Sequence, residues 1–219
     1  MGDPGVSERR RAVALAGHTG DEPAARQALT DPAPAVRATA LGALGRLRSL
    51  DDAELLAALG DPHPVVRRRA SELAASGGPA MLAALCAALH DADHTVVEAA
   101  CFALGEAAPP LDPDARRPPG SDDLVRAVVV ALGAVARSHD DSLCRETAVA
   151  ALGSIGDPAG VDSILAAMGD KATVRRRAVP ALSPFSGPDF DAAPRATLGD
   201  RDWQVRQAAE DLTGAAPEA

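Results

Sequence analysis

Residues 31–45 read DPAPAVRATALGALG, and the same lettering returns thirty residues on as DPHPVVRRRASELAA (61–75) and again as DADHTVVEAACFALG (91–105). Counting from the aspartate, Val stands five residues on, Arg six, Ala nine and Leu twelve or thirteen. The pattern recurs around Arg145, Ala148 and Leu152, with His139 in the Asp position and Cys144 in the Val position. It recurs around Asp170, Val174, Arg175, Ala178 and Leu182, one residue shorter before the Val, and finally around Asp200, Val205, Arg206, Ala209 and Leu212. Six copies in register specify a repeat protein.

Apolar residues at positions 5, 9 and 12 or 13 share one face of an α-helix. The leading Asp, often followed by Pro, predicts a helix start with Asp as N-cap. A second amphipathic stretch, such as DDAELLAALG (51–60) or PAGVDSILAAMGD (158–170), lies between copies. The unit is therefore helix, turn, helix. One such pair cannot bury its apolar face, but a stack of pairs can. The predicted fold is an all-α solenoid of about six helix pairs over the single span 1–219. It has an N-terminal half-repeat cap at 6–17 and repeats at about 21–45, 51–76, 79–105, 122–154, 158–183 and 188–214.

The strings DPAPAVRATALGALG and ALGSIGDPAGVDSILAAMGD resemble HEAT repeats of the short phycobilisome-lyase-like type, over about residues 21–214. The resemblance implies a right-handed solenoid. It also implies a hydrogen-bond ladder between adjacent repeats, made by the Asp and the Arg six residues later. Carried onto this chain, the ladder comprises Asp31/Arg37, Asp61/Arg67 and Asp200/Arg206, with Arg145 and Arg175 in looser versions. Val97 stands where the third repeat should carry its Arg, so an interruption is expected there.

The anchor alanines, Ala40, Ala70, Ala100, Ala148, Ala178 and Ala209, are thirty or thirty-one residues apart except between Ala100 and Ala148. The extra length is the proline-rich stretch EAAPPLDPDARRPPGSD at 106–122 (repeat insertion 106–121), which predicts an extended surface loop.

Composition narrows the function. The chain has 219 residues, 22 Lys+Arg against 31 Asp+Glu and 2% aromatics. A net charge of −9 argues against a general nucleic-acid binder. The arginine runs at 9–11, 67–69 and 175–177 do not overturn this, because Glu98 and Glu146 occupy the positions of Arg68 and Arg176 in the intervening repeats. Three separated cysteines, Cys86, Cys101 and Cys144, form no zinc motif or disulfide framework, and read as small core residues. The basic N-terminal stretch leads into no apolar run, and nothing is long enough to span a membrane, so a cytoplasmic protein is expected.

Catalytic chemistry finds few residues. A HEAT-repeat enzyme of the deoxyhypusine hydroxylase kind holds iron through His-Glu dipeptides, and none of the five histidines here precedes a Glu. His90, Asp91, Asp93, His94 and Glu98 are the nearest approach to a metal cluster, yet Asp91 already has its place in the repeat. No cofactor is expected. In HEAT solenoids the second helix of each pair lines the concave face, where positions 7, 11 and 14 point away from the core. Arg68, Arg69, Glu72, Glu98, Phe102, Glu146 and Arg176 are the candidate residues there. Phe102 among Glu98, Glu106 and Glu146 fits a partner protein offering an apolar residue beside Arg or Lys. The resulting expectation is a non-catalytic scaffold. A phycobilin-lyase-like protein is the alternative, with Arg68, Arg69, Arg176 and Arg177 facing the tetrapyrrole propionates. Trp203 is expected to cover the end of the core.

Overall fold

The structure, a computed structural model, describes residues 4–76, 78–107, 121–185 and 187–214. Among these residues there are thirteen α-helices and no strand. Helix α1 (Pro4–Thr19) stands alone. Six pairs follow: α2 (Glu22–Gln27) with α3 (Pro34–Leu47), α4 (Asp52–Leu59) with α5 (Pro64–Leu73), and α6 (Pro79–Ala88) with α7 (His94–Ala107). They continue as α8 (Ser121–Ser138) with α9 (Ser142–Ile155), α10 (Val161–Ala167) with α11 (Ala172–Ala181), and α12 (Pro188–Ala196) with α13 (Trp203–Thr213). Of the proline-rich insertion, Glu106 and Ala107 belong to α7 and residues 108–120 lie outside the described residues.

The chain forms two compact units, Met1–Ala103 and Leu104–Ala219. In the first, α3 packs between α1 and α5, while α4 packs on α6; in the second, α11 packs between α9 and α13, while α8 packs on α10. Second helices thus stack on second helices and first on first. The cores come from the repeating positions: Val36, Ala40 and Leu44 on α3, Val66 and Ala70 on α5, Cys144, Ala148 and Leu152 on α9, and Val174 and Ala178 on α11 with Leu182 just after it are all buried. Helix α1 is longer than the expected 6–17 and stacks on α3 as a second helix does.

At Gly105 and Gly153 position 14 is not outward-facing, and Gly17 of α1 is placed in the same way. A Cβ on Gly17 would fall 2.8 Å from the Ala43 Cα, one on Gly105 2.9 Å from the Ala151 Cα, and one on Gly153 2.7 Å from the Ala181 Cα. Glycine there lets one second helix rest on the backbone of the next, a contact any side chain would hold apart.

The repeat aspartate is also not the N-cap. It stands one or two residues earlier, in the turn, and accepts a backbone N–H: Asp31 from Ala33, Asp61 from His63, Asp91 from Asp93, Asp170 from Lys171 and Asp200 from Asp202. The caps proper are later residues, such as Asp141 and Asp202.

The carboxylate is thereby turned toward the preceding repeat. Arg37 Nε and Nη2 donate to both Asp61 oxygens at 2.8 Å, while Arg37 Nη1 donates to the Asp31 carbonyl at 2.9 Å. Arg67 treats Asp91 and the Asp61 carbonyl the same way. Arg145 joins Asp170 to the His139 carbonyl, and Arg175 joins Asp200 to the Asp170 carbonyl. Arg206 Nη1 holds the Asp200 carbonyl at 2.7 Å. The links of Arg145 and Arg175 are not looser than the rest: their bidentate distances are 2.6–2.8 Å. Arg9 supplies a further link, its Nε lying 2.8 Å from Asp31 Oδ2. Val97, at the arginine position of the third repeat, is fully buried and has no donor, and His139, at the aspartate position of the fourth, has no carboxylate. Donor and acceptor are lost together.

These pairs set the local pKa values. Hydrogen bonds from Arg9, Arg67, Arg145 and Arg175 hold Asp31, Asp91, Asp170 and Asp200 respectively below the ordinary carboxylate value. At Asp61 burial pushes upward, but the Arg37 guanidinium and the His63 N–H outweigh it and the pKa is again lowered.

Candidate functional site

The outward face of the second helices carries a groove in each unit. In the first unit a groove of about 490 Å³ crosses α1, α3 and α5. Its floor is made of small residues, Ala14, Ala35, Ala38 and Gly42, and its edges carry Arg10, Arg46, Arg68, Arg69 and Glu72. Helical spacing puts Arg68 and Arg69 three or four residues before Glu72, so one carboxylate serves both guanidinium groups. Arg68 Nε reaches Glu72 Oε1 at 2.9 Å and Arg69 Nη1 reaches Glu72 Oε2 at 2.8 Å. Gly42 makes room for Arg69: a Cβ there would lie 2.6 Å from Arg69 Nη2. Arg10 Nε lies 3.5 Å from Thr39 Oγ1, and Arg46 is exposed.

In the second unit a groove of about 590 Å³ lies between α11 and α13, bounded by Arg176, Arg177, Pro180, Gln207 and Asp211. It occupies the same repeat positions as Ala38, Gly42, Arg68 and Glu72 in the first. Trp203 does not cover the core: its side chain is 65% exposed and lines this groove. Arg176 Nη1 donates to Gln204 Oε1 at 2.8 Å.

The sequence-derived residues divide accordingly. Arg68, Arg69 and Glu72 are brought together in one groove and Arg176 lines the other. Glu98 is half-buried and Phe102 57% exposed, both on α7, and neither lines the groove around Arg68. Glu146, on α9, is not a free acidic group. Its side chain is 13% exposed and lies 3.4 Å from Arg177 Nη2 and 4.0 Å from Arg176 Nη2. The acidic rim expected for a basic partner therefore loses Glu146, and the groove formed in the first unit has the opposite sign, four arginines to one glutamate. That groove has no aromatic lining on which a tetrapyrrole would stack.

The run 9–11 is plain in the sequence, but the repeat pattern assigns no position to Arg9 or Arg10, nor to Arg46. Aligning Asp3-Pro4 with Asp31-Pro32 would have found two of them, since Arg9 then takes position 6 and Arg10 position 7. Arg46 lies one turn beyond Gly42 on α3, outside the positions chosen.

Among the described residues no three of His, Cys, Asp and Glu are grouped to hold a metal ion. Asp91 is taken by Arg67, and Asp93 accepts from the Thr95 N–H and hydroxyl. Cys101 and Cys144 are buried, whereas Cys86 is only half-buried, and burial pushes its thiol pKa up. No described helix is long and apolar enough to cross a membrane.

The fold is similar to that of the archaeal HEAT-like repeats protein from Thermococcus onnurineus NA1, at 13% identity and a TM-score of 0.60, over 95% of each chain. It is similar to a designed armadillo repeat protein in complex with a (KR)4 peptide, at 16% identity and a TM-score of 0.61, over 87% of this chain and 98% of that one. It is also similar to an engineered protein at 20% identity and a TM-score of 0.59, over 89% of this chain and 95% of that one. No characterised protein sequence matches the chain. The sequence pattern of HEAT repeats matches residues 1–75 and 129–212, more than half of the whole. The chain belongs to the HEAT-repeat family.

Proposed function

We propose that this protein is a non-catalytic scaffold that binds a segment of another protein along the outward face of its second helices. One observation carries the reading: the same repeat positions, 7 and 11, line a groove in both units, through Ala38, Gly42, Arg68 and Glu72 in one and Arg176, Pro180, Gln207 and Asp211 in the other. In the first groove Arg68 and Arg69 share Glu72 and stand beside a trough of small side chains. An extended chain fits such a trough, with arginine donors available to its carbonyl oxygens. The peptide-bound designed armadillo protein shares this fold, which supports the same use of it here. Exposed Phe102 and Trp203 offer apolar anchors on the same repeat helices.

A random peptide library panned against the full chain tests this, with bound peptides photo-crosslinked and mapped by mass spectrometry. Crosslinks at positions 7, 8 and 11 of the second helices are the expected result. Crosslinks confined to the first helices, or a library with no enriched sequence, would overturn the reading.

A further inference from the structure

We infer that the groove across α1, α3 and α5 binds an acidic, extended polypeptide segment. This rests on the scaffold reading and gives its first groove a partner chemistry. The groove edge carries Arg10, Arg46, Arg68 and Arg69 against the single carboxylate of Glu72, in a chain whose net charge is −9. The local sign is therefore opposite to that of the molecule as a whole, and it selects for carboxylates. Arg68 and Arg69 are held in place by Glu72 through one nitrogen each, so their guanidinium groups are ordered before a ligand arrives and each keeps further N–H donors. Among the described residues Arg46 has no carboxylate within ion-pair distance, and it is exposed. The floor of Ala14, Ala35, Ala38 and Gly42 admits backbone closely, and exposed Val65 gives an apolar edge. Four cations with no aromatic side chain between them suit spaced carboxylates better than stacked bases.

The test uses the full 219-residue chain and three fluorescein-labelled probes: an alternating Glu-Ala decapeptide, an alternating Lys-Ala decapeptide and a ten-nucleotide oligothymidine, read by fluorescence anisotropy. The acidic peptide should bind and the basic one should not. Arg46→Glu with Arg68→Glu, both exposed and outside the ladder, should weaken the acidic peptide by at least about tenfold. Arg176→Glu, in the other unit, should not. Circular dichroism of each variant confirms that the helices persist. Absence of acidic-peptide binding, undiminished binding by the double variant, or tighter binding of oligothymidine would overturn the inference. If library panning yields peptides crosslinked in this groove that are not acidic, this inference fails while the scaffold reading stands. If acidic peptides bind and crosslink only to first helices, both fail.

Discussion

Arg67 grips Asp91 with two nitrogens, Nε to Oδ2 at 2.6 Å and Nη2 to Oδ1 at 2.7 Å, while its third, Nη1, holds the Asp61 carbonyl at 2.9 Å. One side chain therefore ties the start of its own repeat to the turn of the next. A planar guanidinium supplies all three donors at once, which a lysine ammonium cannot do in this geometry.

Removing such a link should cost stability. With Arg67 only 19% and Asp91 only 10% exposed, Arg67→Ala leaves a poorly solvated carboxylate and a carbonyl without its donor. A loss of about 2 kcal/mol is expected. Arg67→Lys should recover less than half of it, because one ammonium cannot reproduce the fork. Urea denaturation of the three proteins followed by circular dichroism measures both, and equal stability of Arg67→Lys and the parent would show that the planar fork is immaterial.

The aspartates of these links also set the acid response. Asp31, Asp61, Asp91, Asp170 and Asp200 all have lowered pKa values in the folded chain. A carboxyl group with a folded pKa below its unfolded one stabilises the fold above the unfolded value, near ~4. That stabilisation disappears as the pH falls through the folded value. Melting temperature should therefore hold steady from neutral pH to about 5 and drop below about 4. The drop should be shallower in a variant with Arg67 and Arg175 both replaced by alanine, since the paired carboxylates there return toward ordinary values.

The glycine contacts between second helices make a sharper demand. Gly153→Ala puts a methyl 2.7 Å from the Ala181 Cα, where backbone must move. A destabilisation of about 1–3 kcal/mol is expected. Gly60→Ala serves as the control: among the described residues, adjacent ones aside, an added Cβ meets just the Ala57 carbonyl oxygen, at 3.5 Å, an ordinary contact. Thermal denaturation of the two variants side by side reads the difference, and equal melting points would argue against the close approach.

Arg48 offers a gain. It ends α3 in the left-handed region at φ 55°, with its N–H bonded to the Gly45 carbonyl, and among the described residues no other non-glycine residue has positive φ. Glycine meets that conformation without the strain of a Cβ. Arg48→Gly should raise stability by about 0.5–1 kcal/mol, measured by the same urea titration.

Much of this was legible in the chain itself. Val36, Ala40, Ala43 and Leu44 announce a buried helical face through spacing alone, because a helix puts residues 36, 40, 43 and 44 on one side, whereas the alternation of a strand would send 43 and 44 to opposite faces. The candidate surface was legible in part. Arg68, Arg69 and Glu72 follow from the same geometry, whereas Arg10 was concealed in a stretch whose repeat register is weak. Glu146 misled: its position number is outward-facing, yet Arg177 of the following repeat reaches back to cover it.

The repeat, the helix pairing and the core positions were determined by the order of residues, since hydrophobic periodicity acts within one helix and its immediate neighbour. Which aspartate each arginine meets was decided only by the stacked structure. Arg37 and Asp31 are six residues apart and look like partners, but the carboxylate of Asp31 turns to Arg9 and that of Asp61 to Arg37. The charge of the groove was decided in the same way, by which side chains of three separate helices arrive together. Both depend on distances across the stack, to which spacing along the chain is blind.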